Sequence, residues 1–317
     1  MAENSPDLSG KIGSMVLGAT KAEGGTRKVS YRIGGETDLP FTGMKTGEGS
    51  IPLVAFEICD DPDYWSPIVT SYAGDLVRDT REWARAAETH YGADLVRLYL
   101  TSTKRRGFAD FPAITKVMEE VLSGTGLPLV VEGSNEPAID SEVFQRCGEA
   151  GQGECLLLGT AEAGRYRSVA AAAMAYNHSV VAQSPIDINL AKQLNILLRE
   201  IGVKADHIMI DPYTGTLGYG FEYSYSVMER IRYAALKGDT DLAMPMITSA
   251  TDSLTVKEVR EAVPGIQEDI AVAWEFYAAL SSAVAGSSIV SVRHPKTVPL
   301  LKSAFRELWA GKIPAGA

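Results

Sequence analysis

From Ile51 onward the chain repeats one pattern: a short run of consecutive apolar residues, then a longer segment with apolar positions three and four apart. The short runs read as strands buried on both faces, and the longer segments as amphipathic helices. The runs IPLVAFEI, DLVRLYL, LPLVVEG, ECLLLG, SVVAQ, HIMID, DLAMPMI and SIVSV begin at Ile51, Asp94, Leu127, Glu154, Ser179, His207, Asp241 and Ser288. Eight strand–helix units predict an α/β protein, a closed (β/α)8 TIM barrel. A doubly wound open sheet is the alternative. The first strand, however, leads into CDDPDYW, which has no glycine turn to cradle a pyrophosphate.

The helices carry their own punctuation. In the fifth, Ser184 is the expected N-cap, Pro185 the first helical residue and Asp187 the acidic third. Leu190, Leu194, Leu197, Leu198 and Ile201 form its apolar stripe, and Gly202 ends it. The second runs from Asp110 and Pro112 through Ile114, Val117, Met118 and Val121 to Gly124. The sixth turns Val227, Met228, Ile231, Ala234 and Ala235 inward and stops at Gly238. The last starts at Pro295, with Val298, Leu301, Ala304, Phe305 and Leu308 inward.

Residues 1–50 break the pattern. SMVLGAT and RKVSYRIGG are two β-type runs joined by KAEGG, a β-hairpin, and ETDLPFTGMKTGEGS is a polar connector. The expected organisation is an N-terminal β-hairpin extension and connector, 1–50, leading as an appendage into a barrel, 51–317. Helix-to-strand links are short. Strand-to-helix links are long at 59–73, 101–110, 211–223 and 248–267. In a barrel these long links share the C-terminal face, which is therefore the binding face.

Charge and cysteine content narrow the partners. A formal charge of −10 with no basic stripe argues against nucleic acid. The one tight basic cluster, TKRRG at 103–107, reads as a solvated loop or as a contact for phosphate or an acidic partner. Three scattered cysteines, Cys59, Cys147 and Cys155, without a CxxC, argue against a disulfide framework or an iron–sulfur site and read as inert thiols. No leader pattern and no membrane-spanning apolar run are seen, so a soluble cytoplasmic protein is expected, with no membrane partner.

The mouth chemistry reads as follows. Glu57, Asp60, Asp61, Asp63, Glu132, Asp187, Asp211 and Asp252 fall on the mouth side. Asp60, Asp61 and Asp63 read as turn formers and solvated charge. Glu132 and Asp211 stand at strand ends, where either loop hydrogen bonding or function explains them. The four histidines do not cluster, and only His294 falls near the mouth, so no metal site is expected on this chain. The loops EGSNEP, GTAEAG, AQSPID and DPYTGTLGYG supply small, uncharged hydrogen-bonding groups, glycine backbone and tyrosine rings. Such a mouth suits a broad, amide-rich planar ligand or a protein partner.

The segments GSNEP, NHSVVAQSPIDINLAKQLN, IMIDPYTGTLGYGFEYSYSVMERIRYAALKGD and MPMITSATDS strongly resemble the small subunit of the corrinoid iron–sulfur protein, itself similar to the acetyl-CoA decarbonylase/synthase delta subunit. The resemblance covers nearly the whole chain. It implies a non-catalytic TIM-barrel subunit of a heterodimer in the Wood-Ljungdahl (reductive acetyl-CoA) pathway. It further implies that the large subunit carries a 4Fe-4S cluster and a cobamide domain, and that this barrel's mouth faces the cobamide. The expected further partners are methyltetrahydrofolate:corrinoid methyltransferase, acetyl-CoA synthase and a reductive activator of the corrinoid. Two features agree with the resemblance: the lack of four-cysteine spacing and the lack of a D-x-H-x-x-G cobalt-ligand motif. By inference from the mouth loops, not from a family motif, Asn135, Gln183, Asp211, Tyr213, Thr214, Gly215, Thr216 and Gly218 are the expected ligand-facing residues. The alternative function is a pterin-binding methyltransferase barrel acting on methyltetrahydrofolate itself. It is disfavoured by a mouth read as poor in paired carboxamide and carboxylate groups.

Overall fold

The hairpin and the eight strands all form in the computed structural model, which describes residues 8–40 and 50–309. Most of the connector, residues 41–49, lies outside the described residues. Strands β1 (Ser14–Leu17) and β2 (Tyr31–Gly34) pair antiparallel, Leu17 opposite Tyr31. The barrel strands are β3 (Leu53–Cys59), β4 (Leu95–Tyr99), β5 (Leu129–Glu132), β6 (Leu157–Ala161), β7 (Ser179–Gln183), β8 (Ile208–Asp211), β9 (Ile247–Ser249) and β10 (Ile289–Val292). They run parallel in the order β8-β7-β6-β5-β4-β3-β10-β9. The two outer strands meet at a parallel bridge between Ile210 and Met246, and the Ile210 amide donates to the Pro245 carbonyl at 2.9 Å. The ring is closed, and the fold is a TIM barrel with an N-terminal hairpin. β9 keeps only Ile247 of its predicted run, since Pro245 has no N–H for a ladder.

The helices are α1 (Pro67–Ala73), α2 (Thr80–Thr89), α3 (Phe111–Gly124), α4 (Pro137–Ala150), α5 (Tyr166–Ala175), α6 (Ile188–Glu200), α7 (Phe221–Leu236), α8 (Lys257–Arg260), α9 (Gln267–Val284) and α10 (Thr297–Leu308). Three long mouth connections hold structure of their own: α1, a 3-10 turn at Thr101–Lys104, and a second 3-10 turn at Thr251–Thr255 followed by α8. Two sequence expectations fail. The cap of α6 is Asp187, whose carboxylate accepts from the Asn189 and Leu190 amides. Residues 184–186 are drawn instead onto the neighbouring loop, the Ser184 amide donating to the Asp211 carbonyl and the Ile186 amide to that of Pro212. Leu308 is exposed, on the outward side of a last turn whose inward residues are Phe305 and Trp309.

The barrel interior is built in layers. Successive strand residues point to opposite faces, so every second side chain enters the barrel. Ala55, Leu95, Val130, Leu157, Val181, Met209, Ile247 and Ile289, one from each strand, form a buried apolar layer. Met15, Leu17 and Ile33 of the hairpin pack against it from below. The predicted appendage is thus the barrel's floor. Its backbone is tied in, the Gly13 amide donating to Ala243 at 2.7 Å and the Lys28 amide to Gly126 at 2.8 Å. Gly34 sits at φ +85°, and a Cβ there would lie 2.0 Å from the Gly13 carbonyl oxygen, so only glycine lets the strands approach.

Candidate functional site

Two residues further along each strand, the interior changes character. The positions above Ala55, Leu95, Val130, Val181, Met209 and Ile247 are Glu57, Arg97, Glu132, Gln183, Asp211 and Ser249. All six line one cavity of about 200 Å³ at the C-terminal mouth. Arg293, two residues beyond Ser291 of β10, joins them, with Tyr99, Asn135, Tyr213, Thr214, Thr251 and Asp252 higher up.

The charged groups interlock. Glu57 and Arg97 are register partners on adjacent strands. Glu57 receives Arg293 Nη2 at 2.6 Å and lies 3.5 Å from Arg97 Nε. Arg97 also holds Glu132 through Nη2. Arg293 stacks its guanidinium 4.3 Å from the Trp65 ring. Asp211 Oδ2 accepts from Gln183 Nε2 at 2.8 Å and its Oδ1 from the Tyr213 amide at 2.8 Å. Burial pushes the Glu132 carboxyl pKa up against the pull of Arg97, and the charge of Glu57 adds to the rise. Burial likewise raises that of Asp211, restrained by the Gln183 hydrogen bond. Burial works against the charge on Arg97, yet Glu132, Glu57 and Asp211 together hold it above the ordinary arginine value. The layer therefore keeps the Arg97 guanidinium charged and makes a negative charge on Glu132 or Asp211 costlier than in water.

The inferred ligand-facing residues divide into two sets. Asn135, Gln183, Asp211, Tyr213 and Thr214 line the cavity. Asn135 Oδ1 accepts from Arg165 Nη2 at 2.7 Å and Thr160 Oγ1 at 3.2 Å, which turns its amide nitrogen outward. Thr214 Oγ1 accepts from the Ser249 amide at 3.2 Å. Gly215, Thr216 and Gly218 are not brought to the cavity. The Thr216 carbonyl accepts from the Tyr219 and Phe221 amides in a tight turn, and the Gly215 amide donates to Ser224 at the start of α7. Gly218 lies over Trp274 of α9. This half of the loop is packed outward along the rim.

Sequence reasoning missed Arg97 and Arg293 and read the mouth as poor in paired carboxamide and carboxylate groups; Gln183 and Asp211 form such a pair. The available signal for Arg97 was a charge within an otherwise apolar strand, VRL in β4, and for Arg293 its place directly after the last residue of β10. Asp61 is buried and Asp60 half-buried, rather than solvated. Asp60 accepts from the Ser102 amide and hydroxyl, and Asp61 pairs with Arg105, so both fasten the 3-10 turn beside the mouth. His294 is buried behind the wall against Tyr72, its ring nitrogen Nδ1 accepting from the Lys296 amide at 3.1 Å, and does not line the cavity. His178 and Cys147 are buried on the floor side and in the core.

Comparison with known proteins places this geometry. The family described as CO dehydrogenase/acetyl-CoA synthase delta subunit matches residues 15–289. The acetyl-CoA decarbonylase/synthase complex subunit delta of Archaeoglobus fulgidus is 36% identical over 98% of this chain and 71% of its own. That of Methanopyrus kandleri is 32% identical over 97% of this chain and 78% of its own. Among solved structures, a dihydropteroate synthase from Coxiella burnetii in complex with pteroic acid aligns at a TM-score of 0.57 and 15% identity, over 94% of this chain and 100% of that one. The last similarity is one of barrel fold.

Proposed function

We propose a function from one premise: this chain belongs to the CO dehydrogenase/acetyl-CoA synthase delta subunit family. It acts as the non-catalytic barrel subunit of a two-subunit methyl carrier, the corrinoid iron–sulfur protein. Its mouth covers a cobamide held by the large subunit, which also carries the 4Fe-4S cluster. The covered cobalt receives a methyl group from methyltetrahydrofolate:corrinoid methyltransferase and delivers it to acetyl-CoA synthase in the reductive acetyl-CoA pathway. A reductive activator restores the cobalt when it is oxidised. Enclosing a low-valent metal away from water restricts its side reactions, and delivery requires the lid to swing aside.

The observation that carries this reading is the strained, exposed rim. Ile186 and Tyr213 stand at φ +53° and +62°, and each amide or neighbour ties the β7 and β8 loops together. They are 36% and 45% exposed, and Tyr219 on the same loop is 52% exposed. A non-glycine residue in the left-handed region costs roughly 1–2 kcal/mol. Here the strain holds apolar and aromatic side chains out at the mouth, where a partner's macrocycle would meet them.

The test is co-expression with the large subunit, followed by visible absorption of the purified complex. Corrinoid absorption is expected in the complex and not in this chain alone. The Tyr213→Ala, Thr214→Ala pair should lower corrinoid retention and methyl transfer while the heterodimer persists. Unchanged retention, or methyltetrahydrofolate demethylated by the isolated chain, would overturn the lid reading.

A further inference from the structure

The long mouth connections are fastened to their neighbours, with one exception. The 3-10 turn at Thr101–Lys104 is hydrogen-bonded to Asp60, and the β8 loop to Ser224 and Ser249. In the β3–α2 connection, the hydrogen bonds of residues 62–78 all close within 61–79, and no ion pair leaves the segment among the described residues. Its ends are anchored. Asp61 pairs with Arg105 and its amide donates to Thr101 Oγ1 at 3.1 Å, while Asp79 caps α2 by accepting from the Glu82 amide at 3.0 Å. Between these anchors the segment, which includes α1, rests on side chains alone. Trp65 meets Trp83 edge-on, centroids 5.7 Å apart, and Arg293 at 4.3 Å. Tyr72 covers His294 at 4.4 Å, and Val69, between the two rings in the chain, is buried. The contact is incompletely paired. Trp65 Nε1, Trp83 Nε1 and the Tyr72 hydroxyl are buried without a hydrogen-bond partner, and His294 Nε2 reaches only Glu268 Oε1, at 3.4 Å. Such donors regain partners in water, so burial of the rings and release of the donors oppose each other. Gly74, directly after α1, stands at φ +61° and ψ −136°, a region open to glycine alone, with nothing within 4 Å of where a Cβ would lie. Glycine here serves rotation of the backbone, not close approach.

We propose that residues 62–78 are a strap that lifts as one unit from the β10 side of the mouth, turning at Gly74 and beside Asp61, when His294 takes up a proton. The closed strap seals His294, 1% exposed, under the Tyr72 ring. Burial there lowers the imidazole to about 4, from an ordinary 6.5 that solvent restores once Tyr72 lifts. Between these values the open form binds a proton that the closed form does not. Closure is therefore fully favoured above pH 6.5 and is lost as pH falls through the window. The charged groups around the ring set the slope. Glu268 of α9 favours the imidazolium, and Lys296, which Glu268 holds at 2.9 Å, opposes it. Glu275 of α9 accepts from the His294 amide and, raised to about 7, is neutral through most of the window. Burial keeps Tyr72 neutral, and Glu57 keeps Arg293 charged. Lifting also takes Trp65 off Arg293, which closes the mouth layer through Glu57. Acidification thereby opens one side of the mouth, a property of this chain that stands apart from the lid reading.

The experiment uses the full chain carrying Val69→Cys, labelled by a pyridyl disulfide between about pH 4.5 and 7.5 and read by peptide mass spectrometry. Rates are referenced to the free peptide 62–78 with the same cysteine. The relative rate at the introduced thiol should rise about 10- to 100-fold as pH falls from 6.5 to 4.5, up to tenfold per unit, while the buried Cys147 stays unlabelled. His294→Gln, which cannot titrate, should flatten the profile. Where that variant does not fold, acrylamide quenching of Trp65, taken as the difference between the parent and Trp65→Phe, should rise over the same pH range. A labelling rate independent of pH, or labelling of Cys147 in step with the introduced thiol, would overturn the strap. An unchanged slope in His294→Gln would overturn its trigger. Corrinoid retention by the heterodimer is untouched by either result, so this proposal and the lid reading fail separately.

Discussion

Two buried arginines stand at opposite ends of the same barrel, Arg27 in the floor and Arg97 in the mouth. They are 4% and 8% exposed. Arg27 is complete. Its Nε meets Glu154 at 2.8 Å, its Nη1 the carbonyls of Thr125 and Leu127, and its Nη2 that of Leu122 and the Thr26 hydroxyl. Arg97 touches two carboxylates and leaves an N–H open. The floor spends its charge on closing the barrel, and the mouth holds charge in reserve. Burial alone would rank the two residues together; the accounting of donors separates structure from recognition.

The contrast is sharpest in stability. Arg27→Met leaves the buried Glu154 without its cation, with only the Thr26 amide and hydroxyl still donating to it, and the unfolding free energy should fall by about 3–5 kcal/mol. Arg97→Met leaves Glu57 its second partner, Arg293, and lets Glu132 take a proton, so its loss should be nearer 2 kcal/mol. Urea denaturation of the two variants measures both. If Arg97→Met costs as much as Arg27→Met, the mouth network is structural and its openness has no functional meaning.

The same logic shows what was legible in the sequence. The eight strands and the hairpin follow from apolar runs and turn residues, which are local signals. The polar layer is also written in the chain, as the residue two beyond six of the eight interior apolar positions. Reading it, however, requires the inward-facing parity of every strand. Runs such as IPLVAFEI, apolar at consecutive positions, hide that parity. Arg97 therefore looks like an interruption until Leu95 is known to point inward. The loop residues were harder still. Asn135 and Tyr213 reach the cavity while Gly215 and Gly218 do not, because the hydrogen bond from Gly215 to Ser224 and the contact with Trp274 fold the second half of the loop onto α7 and α9. Such long-range docking leaves no periodic trace.

A pH experiment probes the wall between mouth and helices. Burial raises the Glu275 carboxyl pKa to about 7, even though the Arg293 and His294 amides and the Thr297 hydroxyl donate to it. Burial lowers His294, beside it, to about 4. Between the ordinary glutamate value of 4.5 and about 7 the folded state binds the Glu275 proton and the unfolded state does not, so stability falls as pH rises. Between about 4 and the ordinary histidine value of 6.5 the unfolded state binds the His294 proton, so stability rises with pH. The two slopes oppose each other over most of this window. Glu275→Gln should unmask the histidine, giving a stability that climbs by about 1 kcal/mol per pH unit across it. A profile in that variant unchanged from the parent's would place Glu275 outside the balance, and a flat one would remove His294 from it.

The smallest effect is the most telling about the rim. Ile186 is a β-branched residue at φ +53°, exposed, with its amide bonded to the Pro212 carbonyl. Glycine at this position keeps that amide and removes the clash between Cβ and the carbonyl, at a modest cost in unfolded-chain entropy. Ile186→Gly should therefore raise stability by about 0.5–1 kcal/mol, seen as a higher melting temperature. The same change in the floor, Gly34→Ile, should instead prevent β1 from meeting β2, because a Cβ has no room beside Gly13. If Ile186→Gly stabilises the chain and at the same time weakens binding of the large subunit proposed above, the strain at the mouth is retained for binding. If it destabilises the chain, Ile186 belongs with Arg27, among the residues that hold the barrel together.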